Sequence, residues 1–322
     1  NESISTLPST LSTSRGSMGS VYSESFGYFA AGFIGPPSPF TTDVIDRLGF
    51  DTETTSTLPT TYPASENNIP STSSPEYGYF LKTSHLVRLN FNTESFTTIS
   101  NATPVDGSGR AAMNNSNFNT YFAGGYGPDY LSLTVRLDYS SETISDISAN
   151  YPEGGFAYAG GVSGAESFRS FTTKTIGYIF GGSSPARNSY VKRMDFTSDT
   201  SSTPSMRISH QTTGMHGVAN NNFGYAMGGF HGQGSNPPGQ GDNYESRLHR
   251  IDFATENLTV FSATPEAHTN DTTLWGVDDM YGWKAGDIFN APPNPVSIST
   301  SKGVSVTSVI LLMSINTSSK VD

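Results

Sequence analysis

Five arginines recur in one frame: Arg47-Leu48-Gly49-Phe50-Asp51, Arg88-Leu89-Asn90-Phe91-Asn92, Arg136-Leu137-Asp138-Tyr139, Arg193-Met194-Asp195-Phe196 and Arg250-Ile251-Asp252-Phe253. In the general frame an apolar residue follows each Arg, and a small or acidic residue and an aromatic then lead into a Thr/Ser/Asp/Glu turn. A ring of guanidinium groups is suited to an anionic ligand. The other use is architectural, with each Arg pairing acidic or carbonyl groups of the neighbouring unit. Equivalent placement in repeat after repeat favours the architectural use.

The remaining chemistry-bearing residues are sparse. The six histidines stand at 85, 210, 216, 231, 249 and 268. His210 and His216 could approach a central channel, but a metal needs three or four convergent ligands, and no other repeat offers a His at the matching position. The chain has no Cys, which removes disulfides, thiolate metal sites and Cys nucleophiles. Calcium loops of the Asp-x-Asp-x-Asp-Gly kind are missing, as is the Gly-x-Ser-x-Gly elbow of serine hydrolases. Gly228-Gly229-Phe230-His231-Gly232-Gln233-Gly234 is Gly-rich, but no helix or Lys follows to cradle a phosphate. The expectation is therefore no catalytic set, no cofactor and no metal.

These residues need a scaffold, and the repeat supplies one. A second motif, aromatic-Gly-Tyr-apolar-x-Gly, precedes each Arg frame: Phe26-Gly27-Tyr28, Tyr77-Gly78-Tyr79, Tyr121-Phe122-Ala123-Gly124-Gly125, Ile176-Gly177-Tyr178, Phe223-Gly224-Tyr225 and Tyr281-Gly282-Trp283. The Arg frames are spaced 41, 48, 57, 57 and 62 residues apart, counting a degraded sixth copy at Leu312-Met313-Ser314-Ile315-Asn316-Thr317. A period of this length marks a solenoid, propeller or array. Ile4-Ser5-Thr6-Leu7-Pro8 matches Thr55-Ser56-Thr57-Leu58-Pro59, so residues 1–25 read as the back half of a unit whose front half lies at 281–322. That frame predicts an all-β, six-bladed propeller, a single domain over 1–322. Its last blade is completed by the N-terminal strand, with Ile4–Leu7 beside Ile310–Ile315, and its blades lie near 26–58, 77–104, 121–150, 177–204, 224–264 and 281–322.

Composition agrees. Apolar content is 34% and aromatic content 12%, and abundant Gly, Pro, Ser and Thr suit short strands joined by tight turns. No sustained i, i+3, i+4 run argues for helices. A net charge of −11 without an acidic block argues against nucleic-acid or anionic-membrane partners. No apolar stretch reaches transmembrane length. The chain opens at Asn1 rather than Met, which reads as a processed product or a segment of a longer polypeptide. In the clearest unit, Met206–Pro265, the order is a small innermost strand (210–219), Phe223–Met227 ending in Gly228-Gly229, a third strand (244–253), a turn at Thr255-Glu256-Asn257 and an outer strand (258–263).

This strand order, with Gly-Gly at 124–125, 181–182 and 228–229, resembles a kelch-type β-propeller repeat. Gly-Gly is absent from the second copy (Leu81-Lys82) and the sixth (Ala285-Gly286-Asp287), and the outer-strand Trp usual in kelch repeats is missing. More narrowly, Phe-Gly-Tyr-x-x-Gly-Gly followed by the Arg frame resembles repeats in structural proteins of marine cyanobacterial phages. That resemblance implies a non-enzymatic structural or attachment module at a virion or extracellular surface. Its partners would be neighbouring virion or surface proteins or a surface glycan, within an oligomeric assembly. A lectin or carbohydrate-active enzyme on the same scaffold is the alternative. The longest connections, 32–43, 230–245 and 286–306, together with an insertion near 154–171, are placed on one face. Phe230, His231, Tyr244, Phe289, Asn290, Phe156 and Tyr158 are the candidate contact residues, because aromatics on loops anchor recognition.

Overall fold

A computed structural model describes residues 7, 9–34, 40–81, 85–100, 107–115, 118–147, 149–163, 175–184, 186–219, 222–231, 243–244, 247–261, 272–278, 281–286 and 309–314. Strands follow one another without a helix among the described residues. The first blade contains β1 (Gly19–Tyr22), β2 (Phe26–Ala30), β3 (Ile45–Gly49) and β4 (Thr54–Thr57). The second contains β5 (Ser71–Ser73), β6 (Tyr77–Leu81), β7 (Leu86–Asn90) and β8 (Ser95–Ile99). The third contains β9 (Ala111–Asn115), β10 (Asn119–Ala123), β11 (Thr134–Asp138) and β12 (Thr143–Asp146). In the fourth, β13 (Gly160–Ser163), β14 (Ile176–Phe180), β17 (Val191–Asp195) and β18 (Thr200–Ser202) pair in that order. A small ribbon of β15 (Ser183–Ser184) and β16 (Ala186–Arg187) is inserted between β14 and β17. The fifth pairs β19 (His216–Ala219), β20 (Phe223–Met227), β23 (Leu248–Asp252) and β24 (Leu258–Phe261), with an inserted ribbon of β21 (Phe230–His231) and β22 (Asn243–Tyr244). All five blades are antiparallel meanders, and the molecule is a β-propeller.

The strand types follow from where each lies. Second strands are buried on both faces, as Phe26–Ala30 and Phe223–Met227 show, because neighbouring blades cover them. Outer strands such as Thr54–Thr57 and Thr143–Asp146 are largely exposed, and the first is mostly Thr, a β-branched residue suited to a half-solvated strand. The glycine in the aromatic-Gly-Tyr motif has a packing cause. A Cβ on Gly78 would meet Val21 Cγ2 of the preceding blade at 2.4 Å. The Gly-Gly that ends β14 turns the chain at φ 66° and 101°, and the Gly182 N–H donates to Thr212 O of the next linker at 2.8 Å.

Six blades were expected, and the structure shows five. The remaining segment forms a three-stranded sheet of β25 (Thr272–Asp278), β26 (Tyr281–Gly286) and β27 (Val309–Ser314). β25 and β26 are antiparallel, but β27 pairs parallel to β26, with Lys284 opposite Leu312. Parallel neighbours need a connection of about a dozen residues or more, and the chain between 286 and 309 has that length. Leu312 also replaces the Arg that pairs with the motif Tyr in every true blade. β25 nonetheless packs against β19 on one side and β1 on the other.

The N-terminal region also differs from expectation. Gly19–Tyr22 is the innermost strand of the first blade, in register with Gly27–Ala30, and not part of the last. Residues 1–6, and with them all of the Ile4–Leu7 latch strand but Leu7, lie outside the described residues. What is described runs along the first blade: Ser9 Oγ donates to Glu53 O and Thr55 Oγ1 donates to Thr10 O at 2.5 Å. Arg15 meets Asp46 at 3.0 Å with both side chains buried, and Ser12 N–H and Thr57 Oγ1 complete the Asp46 carboxylate at 2.9 and 2.8 Å. Thr60 Oγ1 donates to Glu94 O at 3.1 Å in the linker between the first two blades, the same contact that Ser9 makes with Glu53. Residues 9–18 therefore follow the path of an inter-blade linker.

Candidate functional site

The Arg frame is an inter-blade clasp. Tyr28, Tyr79, Tyr121 and Tyr178 stand directly opposite Arg47, Arg88, Arg136 and Arg193 across the second and third strands, so each pair shares one face. In the second to fifth blades the third strand ends in Asn or Asp. Asp138 Oδ1 accepts the N–H groups of Ser140 and Ser141 at 2.9 Å, and Asn90 and Asp252 cap their turns alike, an Asx turn. Hydrogen bonds, led by the Ser140 hydroxyl, hold the Asp138 carboxyl below its usual range. The turn places an acid six residues after each Arg in left-handed backbone: Glu94, Glu142, Asp199 and Glu256 have φ of 52–54°. That acid reaches back to the preceding blade.

The contacts repeat with little variation. Arg47 meets Glu94 at 2.6 Å, Arg88 meets Glu142 at 2.6 Å, Arg136 meets Asp199 at 2.7 Å and Arg193 meets Glu256 at 3.3 Å. The Tyr28 and Tyr79 hydroxyls donate to the same carboxylates at 3.1 Å, and Tyr121 donates to Asp199 at 2.7 Å. The frame aromatic of the next blade stacks on the same Tyr: Tyr28 on Phe91 (5.5 Å), Tyr79 on Tyr139 (5.3 Å), Tyr121 on Phe196 (4.7 Å) and Tyr178 on Phe253 (6.2 Å). Burial first, then the acceptor carboxylate, pushes the Tyr28 and Tyr79 phenols well above their ordinary range. The guanidiniums are thus engaged in holding blades together. The partner acids were missed in the sequence, although their six-residue offset from each Arg is constant and would have found them.

The residue before three of the arginines was also missed: Asp46, Lys192 and His249 precede Arg47, Arg193 and Arg250, and all three are buried. The Lys192 ammonium donates to Gly181 O at 3.3 Å and lies 4.4 Å from the Phe156 ring centre. Burial pushes its pKa down to about 8. His249 Nε2 accepts the Ser209 N–H at 3.1 Å. Of the two histidines expected near the axis, His216 lines it, whereas Arg247 donates to His210 Nδ1 at 2.7 Å. Among the described residues no three His, Asp or Glu converge as a metal site would require.

The axis holds a half-open cavity of about 160 Å³, walled by the innermost strands and the residues just before them. One wall course is backbone. Ser17, Asn68, Gly109, Tyr158 and Gly214 are all left-handed, with φ of 52–68°. Each of the last four donates its N–H to the carbonyl of the one before, at 2.8, 3.4, 2.7 and 2.7 Å. Side chains cover the strand edges: Ser71 Oγ accepts Ser20 N–H and donates to Ser20 O, both at 2.8 Å, and Asn114 Nδ2 donates to Ser73 O at 2.7 Å. These bonds satisfy edge groups that would otherwise face the channel unpaired.

The expected contact residues separate. Phe230 and Tyr244 are opposite one another in the β21–β22 ribbon, with His231 opposite Asn243. Phe156 is fully buried and packs edge-on against Tyr151 at 5.1 Å, so it serves the core. Tyr158 lines the axial cavity. Phe289 and Asn290, with the 286–306 connection, lie outside the described residues. The fourth-repeat insertion is also displaced from where the sequence placed it. β13 begins at Gly160, and the extra length is 164–175, between the first and second strands, where 23–25, 74–76, 116–118 and 220–222 suffice elsewhere. Ser163 and Gly177, the paired ends of β13 and β14, lie at the hairpin end of the propeller, opposite the β21–β22 ribbon. Gly161 lets β13 lie close against Ala112 of the preceding blade: a Cβ there would lie 2.1 Å from the Ala112 carbonyl oxygen.

The other end carries the connections from second to third strands and the inter-blade linkers. Both ribbons stand there, as do the exposed Phe40 and Tyr126, the latter edge-on to Tyr130 at 5.2 Å. The hairpin end exposes Phe118. Comparison with known proteins finds no family model that matches the chain and no curated protein with significant similarity to it.

Proposed function

We propose that the chain is a non-enzymatic structural or attachment module, a kelch-like propeller of a phage virion or tail, with its linker end as the contact surface. The observation that carries this reading is the distribution of chain length and exposed aromatic surface at that end. Inserted ribbons 183–187 and 230–244, Phe40 and the Tyr126–Tyr130 pair stand there on a rigid core. The recurring Arg, Tyr and acid residues are spent inside the propeller, which supports a scaffold reading of the repeat. Exposed aromatics supply contact area at small entropic cost, and loops on rigid scaffolds are where binding residues collect. A neighbouring virion protein or a surface glycan fits such a surface, within an oligomeric particle. In the same reading, residues 1–6 complete the last unit and close the ring, since residues 9–18 already follow a linker path.

The test uses purified particles of the virus whose genome encodes the chain. Replacing 232–242 by a short Gly-Ser turn should leave thermal unfolding nearly unchanged and reduce incorporation or adsorption. A chain encoded outside any phage genome, or unimpaired incorporation and adsorption of the variant, would count against the assignment.

A further inference from the structure

We infer that Glu2 is the acid of a fifth inter-blade clasp, and that it docks residues 1–6 against the fifth blade at Arg250. Each described clasp takes its acid from the following unit, at the turn before the outer strand: Arg47 from Glu94, Arg88 from Glu142, Arg136 from Asp199 and Arg193 from Glu256. The unit after the fifth blade begins at β25, which packs against β19 as β19 packs against β13. Its Arg frame is degraded at Leu312, and six residues on stands Ser318, where the other frames carry an acid. Ser318 cannot serve as a clasp acid. The last sheet also has three described strands where each blade has four.

The N-terminal segment supplies the acid in register. Leu7 and Leu58 are both buried, Ser9 and Thr60 donate to the matching carbonyls of Glu53 and Glu94, and Ser17 and Asn68 are both left-handed at φ 54° and 52°. These three pairs have one spacing. Carried back from Leu7 and Leu58, it sets Asn1-Glu2-Ser3 on Thr52-Glu53-Thr54, so Glu2 falls at the clasp position of an outer-strand turn. Glu2 is also the one charged side chain within residues 1–6. Arg250 is arranged as the other clasp arginines are. It stands opposite Tyr225. Its guanidinium lies 4.5 Å from the Phe223 ring centre, as Arg47 lies over Phe26 and Arg88 over Tyr77 at 4.5 and 4.6 Å, and 4.8 Å from that of Phe261. A ring contact uses the face of a guanidinium, so a carboxylate meets its edge.

This deepens the ring-closure part of the proposed function and rests on it. The chain has no Cys, so paired cysteines can be placed cleanly in it. In the full chain, Glu2→Cys with Arg250→Cys should be joined in native buffer by a short bis-maleimide. Glu2→Cys with Arg193→Cys, one blade away, should not. Urea unfolding of Glu2→Gln, Arg250→Gln, the double variant and a chain lacking 1–6 completes the test. Glu2→Gln should lower the folding equilibrium constant about three- to fivefold, the scale of a partly exposed ion pair, and have no effect in the Arg250→Gln background. If Arg250→Gln does not fold, the crosslink decides. Absence of the crosslink between positions 2 and 250, or an equal loss in both backgrounds, overturns the inference. An equal loss in both backgrounds while the chain lacking 1–6 is destabilised leaves ring closure standing without this pair. A shortened chain as stable as the full one takes both down.

Discussion

Removing Glu142 should weaken the junction between the second and third blades by a predictable amount. Its carboxylate accepts Arg88 at 2.6 Å and the Tyr79 hydroxyl at 3.1 Å. The Arg88 and Glu142 side chains are 26% and 22% exposed, between a rim pair worth about 0–1 kcal/mol and a buried pair whose truncation costs about 3–5 kcal/mol. Tyr79 is almost wholly buried, and stranding its hydroxyl adds about 1 kcal/mol. Glu142→Ala keeps a side chain at φ 52°, so the backbone strain is unchanged and the loss should be about 2–3 kcal/mol. Glu142→Gly deletes the same contacts but relieves the left-handed backbone, so it should cost about 1 kcal/mol less. Urea unfolding of the single variants, with Arg88→Met completing a double-mutant cycle, should give a coupling of about 1 kcal/mol. Glu53 is the control. It holds the same turn position at φ 54°, but its carboxylate has no ion pair among the described residues, so Glu53→Ala should stay within about 0.5 kcal/mol. A Glu142→Ala loss no larger than that of Glu53→Ala, or no measurable coupling to Arg88, would refute the clasp.

Stability should respond to alkali in two opposed ways. Burial pushes Lys192 from 10.5 down to about 8; across that window the unfolded chain holds a proton the folded chain has lost, so stability should rise with pH. The shift corresponds to about 3 kcal/mol, and Lys192→Met should abolish the rise and add about 1–3 kcal/mol at neutral pH, checked by urea midpoints from pH 7 to the alkaline limit. Tyr28, Tyr79, Tyr121 and Tyr178 are raised above the phenol value of 10.0, burial leading in each. Their contribution is complete below that pH and lost above it, so ultraviolet titration should show them ionising only as the chain unfolds. Gly161→Ala would drive a Cβ to within 2.1 Å of Ala112 O and should cost more than about 3 kcal/mol or prevent folding. Gly154→Ala, which meets nothing within 4 Å but sits at φ 88°, should cost about 1 kcal/mol in the same thermal melts.

Much of the scaffold was legible because its causes are local and repeated. The order of strands around Met206–Pro265 holds in β19, β20, β23 and β24, and the Gly228-Gly229 stop has positive φ at both residues. The architectural use of the arginines could be inferred because a ligand has no reason to contact equivalent sites in five blades. Their partners were less visible, since Glu94 and Arg47 meet only after an entire blade has folded between them. Ring count and the last sheet depend on the 281–322 region, whose Arg frame is degraded at Leu312, so local pattern could not reveal the parallel pairing of β27. Phe156 was misplaced for a similar reason. An aromatic in a Gly-rich stretch reads as exposed, whereas Tyr151 and Lys192 close over it. The axial cavity has no sequence signature at all, being assembled from one or two small residues per blade.

If the linker end is the contact surface of a particle-borne propeller, assembly must shield it from solvent. Hydrogen exchange read by mass spectrometry, comparing the isolated chain with the chain in intact virions, tests it most directly. Exchange should slow in the virion at 40–44, 124–133 and the ribbons 183–187 and 230–244, with the turns 91–94, 139–142 and 196–199 unchanged. Protection confined to those turns, or none at either end, would contradict it.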